Sequence, residues 1–224
     1  MRVAVLSGAG ISAESGLKTF RDSDGLWENH RVEDVATPQA FRRNPELVLR
    51  FYNERRRAVL QAQPNEGHRE IARWEARHSV RVVTQNIDDL HERAGSTSVL
   101  HLHGSILEGR SSKDPDLVFP WTGDMRLGDL APDGTQVRPH VVWFGEPVPR
   151  MEAAIEAVEG CDALVVVGTS LQVYPAAMLT QFAPSHARLV LVDPRPPAHP
   201  PKGCLVIAEK ASIGLPRAAE LLGL

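Results

Sequence analysis

Two runs constrain this chain more than any other feature: Ala163–Val167 and Arg188–Val192 are continuously apolar after their first residue or two. A strand with one wet face alternates polar and apolar residues. A run without that alternation suits a strand covered on both faces, as in a parallel sheet. Five further β-branched runs lie at 2–6, 80–83, 98–102, 141–144 and 204–207. Helical patterns fall between them. Asn44 suits an N-cap and Pro45 a first helical residue, for a helix reaching about residue 61. Asn65 suits the cap of a second helix through 77, and Pro149 the start of a third through 158. Strands alternating with helices predict an α/β fold, a doubly wound, Rossmann-like parallel sheet with right-handed crossovers. Two stretches interrupt the alternation. Residues 22–77 place two helices between the first two strands, and residues 104–138 are polar and rich in turn formers. Both are expected to be insertions that together build a small module beside the main sheet, within a single domain spanning 1–224.

Composition narrows the function classes. With 42% apolar residues and a net charge of -3, the chain has ordinary globular composition and no basic excess that would draw nucleic acid. No apolar run has the length of a membrane span, so neither nucleic acid nor a membrane is expected as a partner. Met1 and Arg2 lead directly into the first strand, and no signal peptide is expected. The only cysteines, Cys161 and Cys204, lie far apart and define neither a disulfide framework nor a thiolate metal site. A reduced, cytoplasmic setting follows as the simplest expectation.

The first strand runs into Ser7-Gly8-Ala9-Gly10-Ile11-Ser12-Ala13-Glu14-Ser15-Gly16. Glycines turn the chain tightly and let main-chain N–H groups approach phosphate oxygens, and a following helix aims its dipole at the anion. The third glycine comes later than the common G-x-G-x-x-G spacing requires. Alone, the segment reads as a dinucleotide-binding turn or as a tight strand-to-helix turn with no ligand.

Extended to Gly8-Ala9-Gly10-Ile11-Ser12-Ala13-Glu14-Ser15-Gly16-Leu17-Lys18-Thr19-Phe20-Arg21, this segment resembles the signature of the sirtuins, the NAD-dependent protein deacylases. Thr84-Gln85-Asn86-Ile87-Asp88 resembles the family's nicotinamide-side motif, and Leu102-His103-Gly104 its catalytic histidine motif. Arg138-Pro139-His140-Val141-Val142-Trp143-Phe144-Gly145-Glu146 resembles its peptide-binding strand and loop. Val167-Gly168-Thr169-Ser170-Leu171-Gln172-Val173-Tyr174-Pro175 resembles its second phosphate and ribose loop. The motifs occur in family order along nearly the whole chain.

The resemblance implies a co-substrate, NAD, bound by Gly8, Ala9, Gly10, Ala13, Glu14, Phe20, Arg21, Trp27, Gln85, Asn86, Ile87, Asp88, Gly168, Thr169, Ser170, Asp193 and Ala211. It implies acyl-lysine proteins or peptides as the other substrate, held by Val142, Phe144 and Gly145. In the family an acyl-lysine carbonyl oxygen attacks the nicotinamide ribose, nicotinamide leaves, and a ribose hydroxyl is then deprotonated. His103 is the implied base, since imidazole titrates near neutral pH, and Asn86 is implied beside it. Asp88 also suits a helix N-cap, and both roles can coexist. His101, expected on the same strand face as His103, reads as a core histidine bonded to backbone. A His-x-His metal pair lacks a completing Cys or carboxylate cluster.

In the helix from Pro45, Val48, Phe51, Tyr52 and Val59 form one apolar stripe, and Arg55 falls within it while Arg56 and Arg57 do not. A guanidinium and a phenol three residues apart suit a carboxylate. Tyr52-x-x-Arg55 resembles the sirtuin subclass that removes succinyl and other acidic acyl groups. The plainer reading is an arginine snorkelling to the helix edge.

Two departures stand out. Most sirtuins carry two Cys-x-x-Cys pairs for a structural zinc in the segment matching 104–138. This chain has no cysteine there, so no bound zinc is expected, and Phe119, Trp121 and several prolines and glycines are expected to order the loop instead. Asp193 stands where the family usually has asparagine, and it suits the adenosine ribose hydroxyls and disfavours a ribose phosphate. Three other readings stay open: an NAD-dependent ADP-ribosyltransferase, a catalytically silent NAD-binding module and an ordinary dehydrogenase. A monomer is the working expectation.

Overall fold

The computed structural model describes residues 1–19, 26–27 and 30–224. Its main layer is a six-stranded parallel sheet in the spatial order Leu205–Ile207, Arg188–Val192, Ala163–Val167, Arg2–Ser7, Ser79–Thr84, Val99–His101. Every residue of Ala163–Val167 is buried, which is why the run tolerates no polar residue. Val3, Val5, Val80, Val82, Val165 and Val190 face one side, where Ile71, Trp74, Leu215 and Leu222 cover them. Ala4, Leu6, Leu164, Val166 and Leu191 face the other, covered by Ala154, Val158, Ala176 and Leu179. This is the doubly wound, Rossmann-like α/β arrangement expected from the alternation. Among the described residues no helix is long and apolar enough to cross a membrane.

The helix Pro45–Gln61 begins where its cap residues place it, with Asn44 Oδ1 accepting from Leu47 N at 3.1 Å. The second helix, Glu66–Trp74, is capped by Asn65, whose Oδ1 accepts from Gly67 N at 2.9 Å. The third, Met151–Glu159, starts two residues beyond Pro149.

Beside the sheet lies a small module. It combines the helices Val32–Val35, Pro38–Arg43 and Pro45–Gln61 with an antiparallel sheet of Gly104–Ser111, Val118–Pro120 and Val137–Val141. Val48, Phe51 and Tyr52 from the first insertion share one core with Ile106, Val141 and Trp143 from the second. The helix Glu66–Trp74 joins the main sheet instead, because its Ile71 and Trp74 face the main core. The strand expected at 141–144 ends at Val141. Glu146 accepts from Trp143 N at 2.8 Å and Gly145 adopts φ 87°, so 142–146 forms a loop.

The module is tied by oxygen and nitrogen groups. Ser111 Oγ donates to Asp133 at 2.6 Å and accepts from Lys113 N at 3.0 Å and Asp114 N at 2.9 Å. Phe119 and Trp121 pack against Leu49, Met125 and Val137. Among the described residues no three His, Cys, Asp or Glu side chains converge as a metal site, so the donor set does not fit a tetrahedral thiolate centre. Ser111 is buried, and Ser111→Ala strands its partners. The substitution should lower stability by about 1–3 kcal/mol. It should also speed amide hydrogen exchange across the module while leaving Ala163–Val167 protected. Uniform loss of protection in both regions would contradict a local role for Ser111.

Candidate active site

The loops that leave the carboxyl ends of Arg2–Ser7, Ser79–Thr84, Ala163–Val167 and Arg188–Val192 converge on one cleft of about 260 Å³ between the sheet and the small module. The first and third interlock. Gly10 N donates to Gly168 O at 2.8 Å and Gly8 N to Val167 O at 3.0 Å. A Cβ on Gly10 would stand 2.7 Å from Gly168 Cα, and one on Gly168 would stand 2.2 Å from Ile11 N. The glycines therefore let two loops touch, in addition to baring main-chain groups toward a ligand. The helix that follows the strand is a 3-10 helix, Ala9–Ser15, which begins within the glycine segment and is ended by Gly16 at φ 85°.

Gly8, Ala9, Gly10 and Ala13 line this cleft together with Gln85, Asn86, Ile87, Asp88, His103, Gly168, Thr169, Ser170 and Asp193. Tyr52, Arg55, Val142, Phe144 and Gly145 line it as well. Glu14 and Ala211 line an adjoining depression that shares Gly10, Ala13 and Gly168 with it. Glu14 also receives Ser212 N and Ser212 Oγ, at 3.1 and 2.7 Å, and so caps the helix Ala211–Leu222. Phe20, Arg21 and the Trp27 side chain lie outside the described residues. A cleft framed by interlocked glycine loops, with the buried carboxylate Asp193 beyond one strand, has the donors and acceptors a dinucleotide requires.

The two histidines near the cleft differ in protonation. His103 Nδ1 lies 3.0 Å from Gln85 O. A carbonyl only accepts, so Nδ1 carries the proton and Nε2 is the basic nitrogen. Burial lowers the His103 pKa, and the bond to Gln85 offsets this only in part. His101 instead meets two acceptors, Asn86 O at 3.1 Å and the Glu92 carboxylate at 2.6 Å. Burial pulls its pKa down, but Glu92 outweighs that and the net shift is upward. His101 is thus committed as an imidazolium, and His103 is a neutral base. The strand ends at His101, so His103 stands in the turn beyond it and not on a shared strand face.

Asp88 lines the cleft and accepts from Ser12 Oγ at 3.0 Å and from Leu90 N at 3.2 Å, but it is not the N-cap the sequence suggests, because the helix Leu90–Ala94 starts one residue later with Asp89 in that place. Burial raises its pKa. At the other end, Tyr52 and Arg55 are buried in the helix Pro45–Gln61, and Trp143 Nε1 donates to the Tyr52 hydroxyl at 3.0 Å. Arg138 stacks 3.3 Å from the Trp143 ring centre and pairs with Glu146 at 2.7 Å, which fixes the loop carrying Val142, Phe144 and Gly145. Arg56, which helical spacing places off the apolar stripe, is buried more deeply than Arg55. It bonds Ile106 O, Asn53 Oδ1 and Gly123 O under the small sheet, where the inserted strand roofs the helix. Arg57 is exposed and pairs with Asp124.

The Sir2 family profile matches residues 8–175, and the chain belongs to the Sir2 family. It is 52% identical over 210 residues to an NAD-dependent protein deacylase of Helicobacter pylori, covering 93% of this chain and 92% of that one. A second relative, an NAD-dependent protein deacylase of Bacteroides thetaiotaomicron, is 47% identical over 227 residues, covering 98% and 97%. Among solved structures, a Sir2 homologue in complex with NAD superimposes with a TM-score of 0.87 at 37% identity, covering 99% of this chain and 89% of that one.

The lowered pKa of His103 sets a direction. A base acts when unprotonated, so a rate that depends on His103 rises with pH through its pKa. The acidic limb should lie below the ordinary histidine value of about 6.5, with full rate retained at neutrality. A limb centred above that value contradicts the neutral, buried form.

Proposed function

We propose that the protein is an NAD-dependent protein lysine deacylase that accepts acidic acyl groups, succinyl among them, as well as acetyl. The observation that carries this reading is the single cleft that gathers His103, with Nε2 as its basic nitrogen, the Asn86–Asp88 loop and the Tyr52–Arg55 pair. The names of the relatives support the NAD-dependent deacylase part.

In this reading NAD supplies an electrophilic ribose carbon, from which nicotinamide departs as the acyl-lysine carbonyl oxygen bonds to it. The interlocked glycine loops hold the diphosphate, and Asp193 accepts from the adenosine ribose hydroxyls, which favours NAD over NADP. Asn86 and Asp88 face the nicotinamide side. His103 Nε2 takes the proton of a ribose hydroxyl, whose oxygen then attacks the acyl carbon. Hydrolysis releases the lysine amine, and the acyl group leaves on ADP-ribose. Val142, Phe144 and Gly145 border the incoming lysine. Arg55 and the Tyr52 hydroxyl offer donors to a terminal carboxylate, which an acetyl group lacks. The small module works without zinc, and the reaction takes place in the cytoplasm on acylated proteins.

Paired peptides test the acyl preference. Arg55→Met should cut kcat/KM on succinyl-lysine by about ten- to a hundredfold, the loss expected for a desolvated charge-assisted bond of about 1.5–3 kcal/mol, and leave acetyl-lysine within a few-fold. His103→Ala should abolish both activities while NAD binding stays measurable. Equal losses on the two peptides in Arg55→Met count against acidic-acyl recognition.

A further inference from the structure

Beneath the cleft floor, behind Asn86 and Asp88, lies a buried polar layer whose ring groups take no part in the reaction above. It contains two histidines from different helices, His68 of Glu66–Trp74 and His91 of Leu90–Ala94. Their rings meet edge to face with centres 5.0 Å apart. Each ring nitrogen Nε2 faces a hydroxyl beside the first glycine loop. His68 Nε2 lies 3.4 Å from Ser12 Oγ, and His91 Nε2 lies 2.9 Å from Ser7 Oγ.

The direction of every bond in this layer can be assigned. Asn65 N donates to His68 Nδ1 at 3.3 Å. A main-chain N–H can only donate, so Nδ1 is unprotonated and the proton sits on Nε2, aimed at Ser12. Ser12 Oγ also receives Asn86 Nδ2 at 3.1 Å and gives its own proton to Asp88 at 3.0 Å. Its two lone pairs and its proton are all engaged. Ser7 gives its proton to Thr84 Oγ1 at 2.9 Å, so it accepts from His91 Nε2–H. Thr84 Oγ1 in turn receives Asn86 N at 3.0 Å. His68 thus reaches the side chains of Asn86 and Asp88 through one hydroxyl, and His91 reaches the main chain of Asn86 through two.

We infer that His68 and His91 are positioning residues for NAD cleavage: two neutral imidazoles whose Nε2–H groups orient Ser12 and Ser7, and through them Asn86 and Asp88. Burial holds the His68 pKa down to about 4 and pushes that of His91 well down, which favours the neutral form of both rings, and at His68 the bond from Asn65 N requires that form as well. A charged ring would need a proton on His68 Nδ1, opposing Asn65 N–H. The inference rests on the cleft being the NAD site.

Two polar replacements of different reach separate positioning from folding. Asparagine places its amide oxygen where Nδ1 stood, retaining the bond from Asn65 N, but cannot reach Ser12. Glutamine extends an amide N–H to the place of Nε2. The readouts are exchange of labelled nicotinamide into NAD in the presence of acyl-lysine peptide, and binding of ADP-ribose, which lacks nicotinamide. His68→Asn should lose about tenfold in exchange, the worth of one buried hydrogen bond, while His68→Gln stays within about threefold of the unaltered protein. ADP-ribose affinity should move less than about threefold in both. The same pair of changes at His91 should follow the same order. Equal exchange in the asparagine and glutamine variants would overturn the inference, as would parallel loss of exchange and ADP-ribose binding, which assigns the histidines to the fold alone. Absence of exchange in the unaltered protein would remove the NAD-site reading itself and the inference with it.

Discussion

The contact between Gly8-Ala9-Gly10 and Gly168 is the constraint on which the site depends. These loops leave adjacent parallel strands, Arg2–Ser7 and Ala163–Val167, whose register places Ser7 opposite Val167. The chain beyond both strands therefore emerges at one height. Side chains at Gly10 or Gly168 would drive the loops apart, since their Cβ atoms would lie within 3 Å of opposing main-chain atoms. With the loops joined, Gln85 bridges from the neighbouring strand end to Thr169 at 3.1 Å. Three loops from three strands become one wall, and the small module closes the opposite side with Tyr52, Arg55 and Trp143.

Hydrogen-bond direction then divides the work among chemically similar groups. Four histidines lie in or under this wall, and each is set by what its partners can offer. Gln85 O makes His103 a base at Nε2. Two acceptors make His101 a cation. Asn65 N makes His68 an Nε2–H donor, and Ser7 does the same for His91. Among the arginines of one helix, the same logic sends Arg55 to the cleft, Arg56 beneath the small sheet and Arg57 to solvent. The low-dielectric surroundings make these assignments firm, because a buried donor without an acceptor is costly.

Much of this was legible in local patterns. The apolar runs, the Asn44 and Asn65 caps and the glycine loops act over a few residues, and the main sheet and the helix Pro45–Gln61 fall where those patterns put them. The family motifs located the cleft residues because each motif spans or follows the end of a strand that borders the cleft. What the pattern missed depends on distant segments. Arg56 reads only as a residue off the apolar stripe until strand Gly104–Ser111 is laid over it. His68 stands at the third helical position, where a capping box usually has Glu or Gln, so its link to Ser12 carried no familiar signal. The loop at 142–146 looked like a strand because the Glu146 carboxylate that bends it lies outside the β-branched run. Ser111, one serine among many turn residues, gave no hint that it would tie the small module together.

In the proposed function, cleavage of NAD and removal of the acyl group are one coupled reaction in this cleft. Mass spectrometry of a single incubation with NAD and a succinyl-lysine or acetyl-lysine peptide follows both halves of that reaction at once. Coupling yields nicotinamide, free-lysine peptide and O-acyl-ADP-ribose in equal amounts, and no free-lysine peptide when NAD is omitted. Free-lysine peptide formed without NAD, or nicotinamide released while the peptide keeps its acyl group, would contradict it.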